Sequence, residues 1–247
     1  MDPYISILPV IPIRREPSHR SEQLSQLIFG EKLVIQDEQQ DWVQICTEFD
    51  RYKGWVEKSA LTLCTDDYTE QLIITEPIVQ VFRDHVPVWL PAGSEIPRPD
   101  DKGRFEIEEI PFLLPESLKP APASACELAV KFLHSPYLWG GRTLFGIDCS
   151  GLVQIVYKIL GISITRDASE QATEGQEVPY GDIHKNDLAF FEENGRVTHV
   201  GIYMDNNQII HASKMVRIDP LDEKGIFNED LGSYTHEFHS VRRLVRV

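Results

Sequence analysis

Basic residues are scarce in this 247-residue chain: 24 Lys plus Arg stand against 39 Asp plus Glu, a formal charge of −15. So acidic a surface repels phosphate backbones and anionic headgroups, which argues against a nucleic-acid partner and against docking on an anionic membrane. It suits a substrate that carries an amine. Long apolar runs are missing too, and none approaches the roughly 18 residues of a membrane span. The opening MDPYISILPVIPIRREPS has prolines at 3, 9 and 12 and no basic region followed by an unbroken apolar one. No signal peptide is read from it. Cysteine is scarce, with four residues at 46, 64, 126 and 149 and no CxxC or framework spacing. They are expected to be reduced thiols, and the protein cytoplasmic. No Gly-Lys-Ser/Thr follows the glycines of WGGRTLFG, which excludes a phosphate loop.

What is present is an ordinary globular composition, 42% hydrophobic and 9% aromatic. The length allows one large domain or two to three small ones, with a core that needs neither metal nor disulfide. Residues 1–63 read as short strands: EKLVIQDEQQDWVQICTEFDRYKGWVEKSALTL alternates apolar and polar positions, with turns expected at Gln39-Gln40-Asp41 and from Arg51 to Gly54. Residues 64–117 continue in that manner, with strand-like QLIITEPIVQVFRD, VPVWLPAGSEIP and RFEIEEIPFLL. The segment PESLKPAPASA then marks the expected linker. In residues 118–247 the pattern changes. SACELAVKFLHS and CSGLVQIVYKILG have helical spacing, the second placing Leu152, Ile155, Val156, Ile159 and Leu160 on one stripe with Gly161 just past its end. DLAFFEE, VTHVGIYM, QIIHAS and SVRRLVRV read as strands. Helices followed by strands predict an α+β domain with an antiparallel sheet.

Cys149 is the residue on which function turns. A lone cysteine in an apolar helix is commonly core. This one, however, opens the helical stripe, where unpaired N–H groups and the helix dipole favour a thiolate and could serve an oxyanion. Asp148 and Ser150 are both suitable caps. A thiol nucleophile needs a base, and the base an orienting partner. Of eight histidines, His19 and His85 fall in the first β-rich region and His134 and His184 are isolated. His199 and His211 flank the turn-rich Asp205-Asn206-Asn207 and predict a hairpin. A two-residue loop would put the two rings on opposite faces. A three-residue loop pairs residue 201 with 211 and puts both rings on one face as diagonal neighbours, on the order of 7 Å apart at the backbone. Asn207 can adopt the left-handed conformation that loop requires, so the odd-length loop is predicted. Zinc is the competing use of Cys149, His199 and His211, but the spacing matches no usual finger, and HEFH at 236–239 is only a loose His-x-x-His. No metal and no cofactor are expected.

The motifs PYxWGG, DCSG, RDASxQ, DLxFF, HVGIY and IIHAS occur here in order, over roughly residues 120 to 245. In that set the chain resembles the NlpC/P60 family of cysteine peptidases, which implies a papain-like core. The resemblance places the nucleophile on Cys149, the base on His199 and the third polar residue on His211. Tyr137 matches the tyrosine whose hydroxyl assists the oxyanion. Asn186 departs from the glycine that commonly precedes the DL pair. SEQLSQLIFGEKLVIQDEQQDWVQI with RYKGWV resembles a bacterial SH3 domain, and residues 64–114 match a second copy poorly. The implied fold is therefore α+β, with one or two small SH3-like barrels ahead of the peptidase domain.

That arrangement is similar to γ-D-glutamyl-L-diamino acid endopeptidases of the YkfC type. The implied substrate is a murein peptide such as L-Ala-γ-D-Glu-diaminopimelate, cut during cell-wall peptide recycling. The resemblance assigns the free L-Ala ammonium to Glu22, Tyr52 and Asp148, and the D-Glu portion to Ser150 and Ser169. Burying an ammonium requires a paired carboxylate, which agrees with that assignment. For Ser169 a helix N-cap is the plainer reading. Two other functions stay open at this point: a wall-peptide binding module with an idle thiol, and an amidase or acyltransferase using the same thiol on another amide.

Overall fold

The computed structural model describes residues 2–66, 68, 70–116, 118 and 124–244. It separates into two compact units, residues 1–120 and 121–247. Most of the proline-rich linker, residues 117 and 119–123, lies outside the described residues.

In the N-terminal unit, β1 (Pro3–Ile5), β2 (Val10–Arg14), β3 (Gln23–Ile28), β4 (Lys32–Gln39), β5 (Trp42–Thr47), β6 (Lys53–Glu57) and β7 (Thr62–Leu63) form one sheet in the order β3-β2-β6-β5-β4-β1-β7. The alternation seen in the sequence buries Ile11, Ile13, Leu27, Leu33, Val43, Ile45 and Val56 as its core. Gln40, at φ +54°, makes the first expected turn. The second is made by Arg51, at φ +60°, whereas Gly54 lies inside β6 against Ile13. β8 (Gln71–Ile73) pairs with β11 (Glu95–Pro97), and β9 (Ile78–Arg83), β10 (Val86–Pro91), β12 (Arg104–Ile107) and β13 (Ile110–Leu113) form a second sheet in the order β10-β9-β13-β12. Ile5 and Phe29 of the first segment share a core with Ile74, Val81, Leu90, Ile96, Ile107 and Phe112 of the second.

The C-terminal unit begins with α1 (Ala125–Val130), then a small ladder of β14 (Arg142–Thr143) and β15 (Gly146–Ile147), the central helix α2 (Cys149–Ile159) and the single turn α3 (Ala168–Gln171). An antiparallel sheet follows: β16 (Gln176–Val178), β17 (Leu188–Glu193), β18 (Arg196–Tyr203), β19 (Gln208–Ser213), β20 (Met215–Asp222), β21 (Gly225–Asn228) and β22 (Ser233–Arg243). Its order is β16-β22-β17-β18-β19-β20-β21, and β22 also pairs with β21, so the sheet closes on itself. α2 packs against β18 and β19 and touches α1, α3 and β14. Enclosed on all sides, every one of its residues is buried, Gln154 and Lys158 included, rather than the single stripe expected. Gly161, at φ +75°, ends the helix: its N–H donates to the Lys158 carbonyl, and that of Ile162 to Tyr157, a Schellman closure. Asn186, at φ +75°, holds the left-handed turn where the family commonly has glycine. Its side-chain oxygen also accepts from the Ser124 hydroxyl and the Cys126 N–H.

Candidate active site

Asp148 starts the site. Its extended backbone makes it the N-cap of α2, and Oδ1 accepts from the Gly151 N–H at 2.7 Å. Oδ2 accepts from the Gly140 N–H at 2.8 Å and from Arg166 Nη2 at 2.6 Å. Arg166 is the largest fully buried side chain described, and its Nη1 donates to the Ser150 hydroxyl at 2.8 Å. Ser150 therefore sits inside the first turn, bonded to Arg166, while Asp148 alone caps the helix. The effect is to fix the first helical residue, Cys149, which is 6% exposed.

Burial pushes the Cys149 thiol up to about 12, the Asp148 charge adds to this, and backbone N–H groups of Val200 and Ser150 oppose it. Burial thus opposes the thiolate that the helix terminus favours. Val200, whose N–H lies beside the sulfur, directly follows His199 in strand β18. Tyr137 bridges to Ile147, two residues before the nucleophile. Its backbone N–H donates to the Lys214 carbonyl at 2.9 Å, and its phenol is pushed up by burial and by the charges of Cys149 and Asp148.

The hairpin has the predicted odd-length register. Gly201 pairs with His211, Ile202 with Ile210 and Tyr203 with Ile209, and the Met204 N–H donates to the Gln208 carbonyl. Asn206 and Asn207 both adopt left-handed backbone, at φ +61° and +56°. Gly201 is required at its position, because a Cβ there would lie 2.7 Å from the Ile209 side chain and 3.0 Å from the His211 Cβ. His199 Nε2 and His211 Nδ1 are 2.8 Å apart. On β20, Arg217 pairs directly with His211, which puts Asp219 diagonally beside it, and His211 Nε2 lies 2.9 Å from Asp219 Oδ2. Arg217 holds that carboxylate through Nη2, 2.7 Å from Oδ1, and reaches Asp230 at 3.0 Å.

Sequence reasoning missed a third imidazole. His236 of β22 stacks on His199, with ring centroids 4.1 Å apart and planes at 28°. It is the first histidine of the HEFH segment, whose second, His239, is exposed. Burial lowers His199 well below the ordinary histidine value, and the neighbouring His211 and His236 lower it further. Burial also lowers His211, against the pull of Asp219, and takes His236 down to about 4. Asp219 is pushed up by burial but held below the usual carboxylate range by its hydrogen bonds from His211 and Arg217. Lowered imidazoles and a raised thiol favour general-base proton transfer over a resting ion pair.

Among the described residues, His199, His211 and His236 are the one group close enough for a metal, with ligand nitrogens within 4.8 Å of one another. Two nitrogens on a tetrahedral zinc stand roughly 3.3 Å apart. The 2.8 Å between His199 and His211 fits a shared proton better. A cleft of about 1000 Å³ opens over the relay, lined by Tyr137, His199 and His236 with Glu192, Lys214 and Glu237.

Of the other expected site residues, Ser169 is exposed and lies within α3, whose N-cap is Asp167, so the N-cap reading of Ser169 is corrected. Glu22 and Tyr52 belong to the N-terminal unit, where Glu22 pairs with Arg15 at 2.8 Å and the Tyr52 N–H donates to the Thr47 hydroxyl at 2.8 Å. Asp219, Arg217 and Arg166 were not singled out from the sequence, and His236 was weighed only within HEFH as a loose zinc motif. The signal for Asp219 was strand parity: a tight turn at Lys214 pairs 213 with 215 and so sets Arg217 and Asp219 on the face of His211. For Arg166 it was the RDASxQ motif.

Comparison with known proteins bears on this geometry. Residues 134–234 match the NlpC/P60 family, and residues 13–61 match the bacterial dipeptidyl-peptidase Sh3 domain. The gamma-D-glutamyl-L-lysine dipeptidyl-peptidase of Bacillus subtilis (strain 168) is 30% identical over 213 residues, 77% of this chain and 72% of that protein. The protein of the same name from Bacillus cereus (strain ATCC 10987 / NRS 248) is 27% identical over 250 residues, 85% of this chain and 74% of that protein. A solved NlpC/P60 family structure from Bacillus cereus ATCC 10987 has a TM-score of 0.83 at 21% identity, covering 98% of this chain and 99% of that one, and shows a shared fold. The chain belongs to the NlpC/P60 family.

Proposed function

We propose that this protein is a cysteine endopeptidase with a papain-like site that cleaves the γ-D-glutamyl–diamino acid bond of murein peptides bearing a free N-terminal L-Ala. The observation that carries this is Cys149 at the start of α2 with the Val200 N–H beside its sulfur, and His199, the residue before Val200, in relay with His211. Two relatives named for a γ-D-glutamyl-L-lysine dipeptidyl-peptidase support the substrate class.

In the proposed reaction, His199 takes the Cys149 proton as the sulfur attacks the γ-carbonyl carbon of D-Glu. The oxyanion that forms is met by the Tyr137 hydroxyl and the Cys149 N–H. Collapse breaks the C–N bond, and the diamino acid leaves with its amine protonated from His199. Water, deprotonated by His199, then hydrolyses the thioester and restores the thiol. Every step uses side chains of this chain.

The ammonium of L-Ala is assigned to Glu22, Tyr52 and Asp148. Asp148 already accepts from the Gly140 and Gly151 N–H groups, Arg166 and the Ser150 hydroxyl, and Glu22 from Arg15, so the ammonium would join carboxylates that already have partners. Ser150 and Ser169 are assigned to the D-Glu portion; the Ser150 hydroxyl, anchored by Arg166, is the better placed, since Ser169 is exposed. A peptide with a free N-terminus has already been released from larger material, which favours a recycling role in the cytoplasm.

The test is to incubate the protein with L-Ala-γ-D-Glu-diaminopimelate and with its N-acetylated form, and to follow both by mass spectrometry. Cleavage of the free peptide alone is expected. Equal cleavage of both would keep the peptidase and remove the ammonium requirement, and cleavage of neither would overturn the reading.

A further inference from the structure

The residues behind His199 decide which of its nitrogens is the base, and their spacing is specific enough to follow each proton. Asp219 is buried, and a carboxylate only accepts, so His211 Nε2, 2.9 Å from its Oδ2, must carry a hydrogen. A neutral imidazole has one such hydrogen. His211 Nδ1 is therefore bare and accepts, and the group facing it at 2.8 Å, His199 Nε2, must donate. That uses the one ring proton of neutral His199 and leaves its Nδ1 unprotonated. We infer that Asp219 is a positioning residue that fixes the tautomers of both histidines, so that His199 works through Nδ1.

This rests on the peptidase reading of the site. Asp219 touches no reacting atom and acts through two rings in series. Its own placement is enforced twice. Strand register sets His199, His211 and Asp219 as successive diagonal neighbours on β18, β19 and β20, since Gly201 pairs with His211 and His211 with Arg217. Arg217 then occupies Oδ1 at 2.7 Å and is itself steadied by Asp230. The titratable groups facing His211 are His199 from β18, His236 from β22 at a ring distance of 5.6 Å, and Arg217 and Asp219 from β20. Of these groups, Asp219 is the one whose acceptor lies at Nε2.

Arg217 meets both carboxylate oxygens, Nη2 at Oδ1 and Nε at Oδ2, each at 2.7 Å; an amide has one oxygen, and where that oxygen stays with Nη2 its NH₂ turns toward His211. The proton order then reverses: His211 Nε2 accepts, Nδ1 donates to His199 Nε2, and His199 is left with its hydrogen on Nδ1. The same inversion in a hydrolytic triad costs roughly 10⁴-fold in kcat.

The experiment uses full-length protein labelled with ¹⁵N-histidine, as wild type and Asp219→Asn, read by long-range ¹H–¹⁵N correlation with no substrate present. The wild type should show His199 and His211 both protonated at Nε2 and bare at Nδ1. Asp219→Asn should shift both toward Nδ1–H and lower kcat for the tripeptide by roughly 10²- to 10⁴-fold at neutral pH, with KM little changed and part of the loss recovered as pH rises. A wild-type spectrum with hydrogen on either Nδ1 overturns the inference, as does an Asp219→Asn enzyme with unchanged kcat. Should that variant not fold, the wild-type spectrum still decides. A correct tautomer pattern in a protein that leaves the tripeptide intact would fault the peptidase reading instead.

Discussion

Two aspartate–arginine pairs flank the site, and they have different work. Asp148 and Arg166 meet at 2.6 Å with side chains 7% and 1% exposed, while Asp219 and Arg217 meet at 2.7 Å with side chains 3% and 15% exposed. What separates them is the third partner. The Asp148 carboxylate faces backbone N–H groups at the start of α2, so it fixes where the sulfur sits. The Asp219 carboxylate faces an imidazole, so it fixes where the protons sit. A buried ion pair thus has no role of its own; the neighbour it leaves pointing outward supplies one.

The sharpest way to break this contrast is Asp148→Ala. It strips the helix cap, about 1 kcal/mol, and leaves Arg166 buried without its carboxylate, roughly 3–5 kcal/mol. Calorimetry should show Tm falling by on the order of 10 °C. A Tm within about 2 °C of wild type would mean that the pair is dispensable and the comparison false. Asp219→Asn should move activity far more than Tm.

Acid should act on the histidine side next. His199, His211 and His236 are all lowered in the fold, whereas the unfolded chain titrates near 6.5. Between that value and the folded ones the unfolded state binds more protons, so stability rises with pH there and is lost as pH falls. Tm should be level above about pH 7 and drop by several degrees by about pH 5. A Tm rising over that acid range would contradict the neutral relay. For the same reason the acid limb of kcat/KM should lie below the ordinary histidine value of about 6.5.

The smallest effect should be His236→Phe. Phenylalanine keeps the ring that stacks on His199 at 4.1 Å and removes only the nitrogens. A change in kcat within roughly threefold is expected from steady-state assays. A loss of about 100-fold would instead make His236 a proton carrier or a substrate ligand.

These residues differ in how far the sequence exposed them. The hairpin was legible because a short Asp-Asn-Asn loop fixes register, and register fixes which faces His199 and His211 share. Asp219 obeys the same parity rule, but reading it needed a third strand and the tight turn at Lys214. His236 was hidden because β22 is eleven residues long and shifts register against both β17 and β21, which defeats simple alternation. α2 announced itself by helical spacing, yet its burial on every side, with Gln154 and Lys158 enclosed, depended on elements distant in the chain. Ser169 looked like a cap, and Asp167, two residues earlier, took that place because its backbone is extended where α3 starts.

The central claim is that the Cys149 sulfur, served by the histidine relay, cleaves a γ-D-glutamyl amide. Its most direct test compares wild-type and Cys149→Ala protein on L-Ala-γ-D-Glu-L-Lys, following products by mass spectrometry. The account predicts L-Ala-γ-D-Glu and free lysine from the wild type and intact tripeptide from the variant. The same products from both proteins, or no products from the wild type, would contradict it.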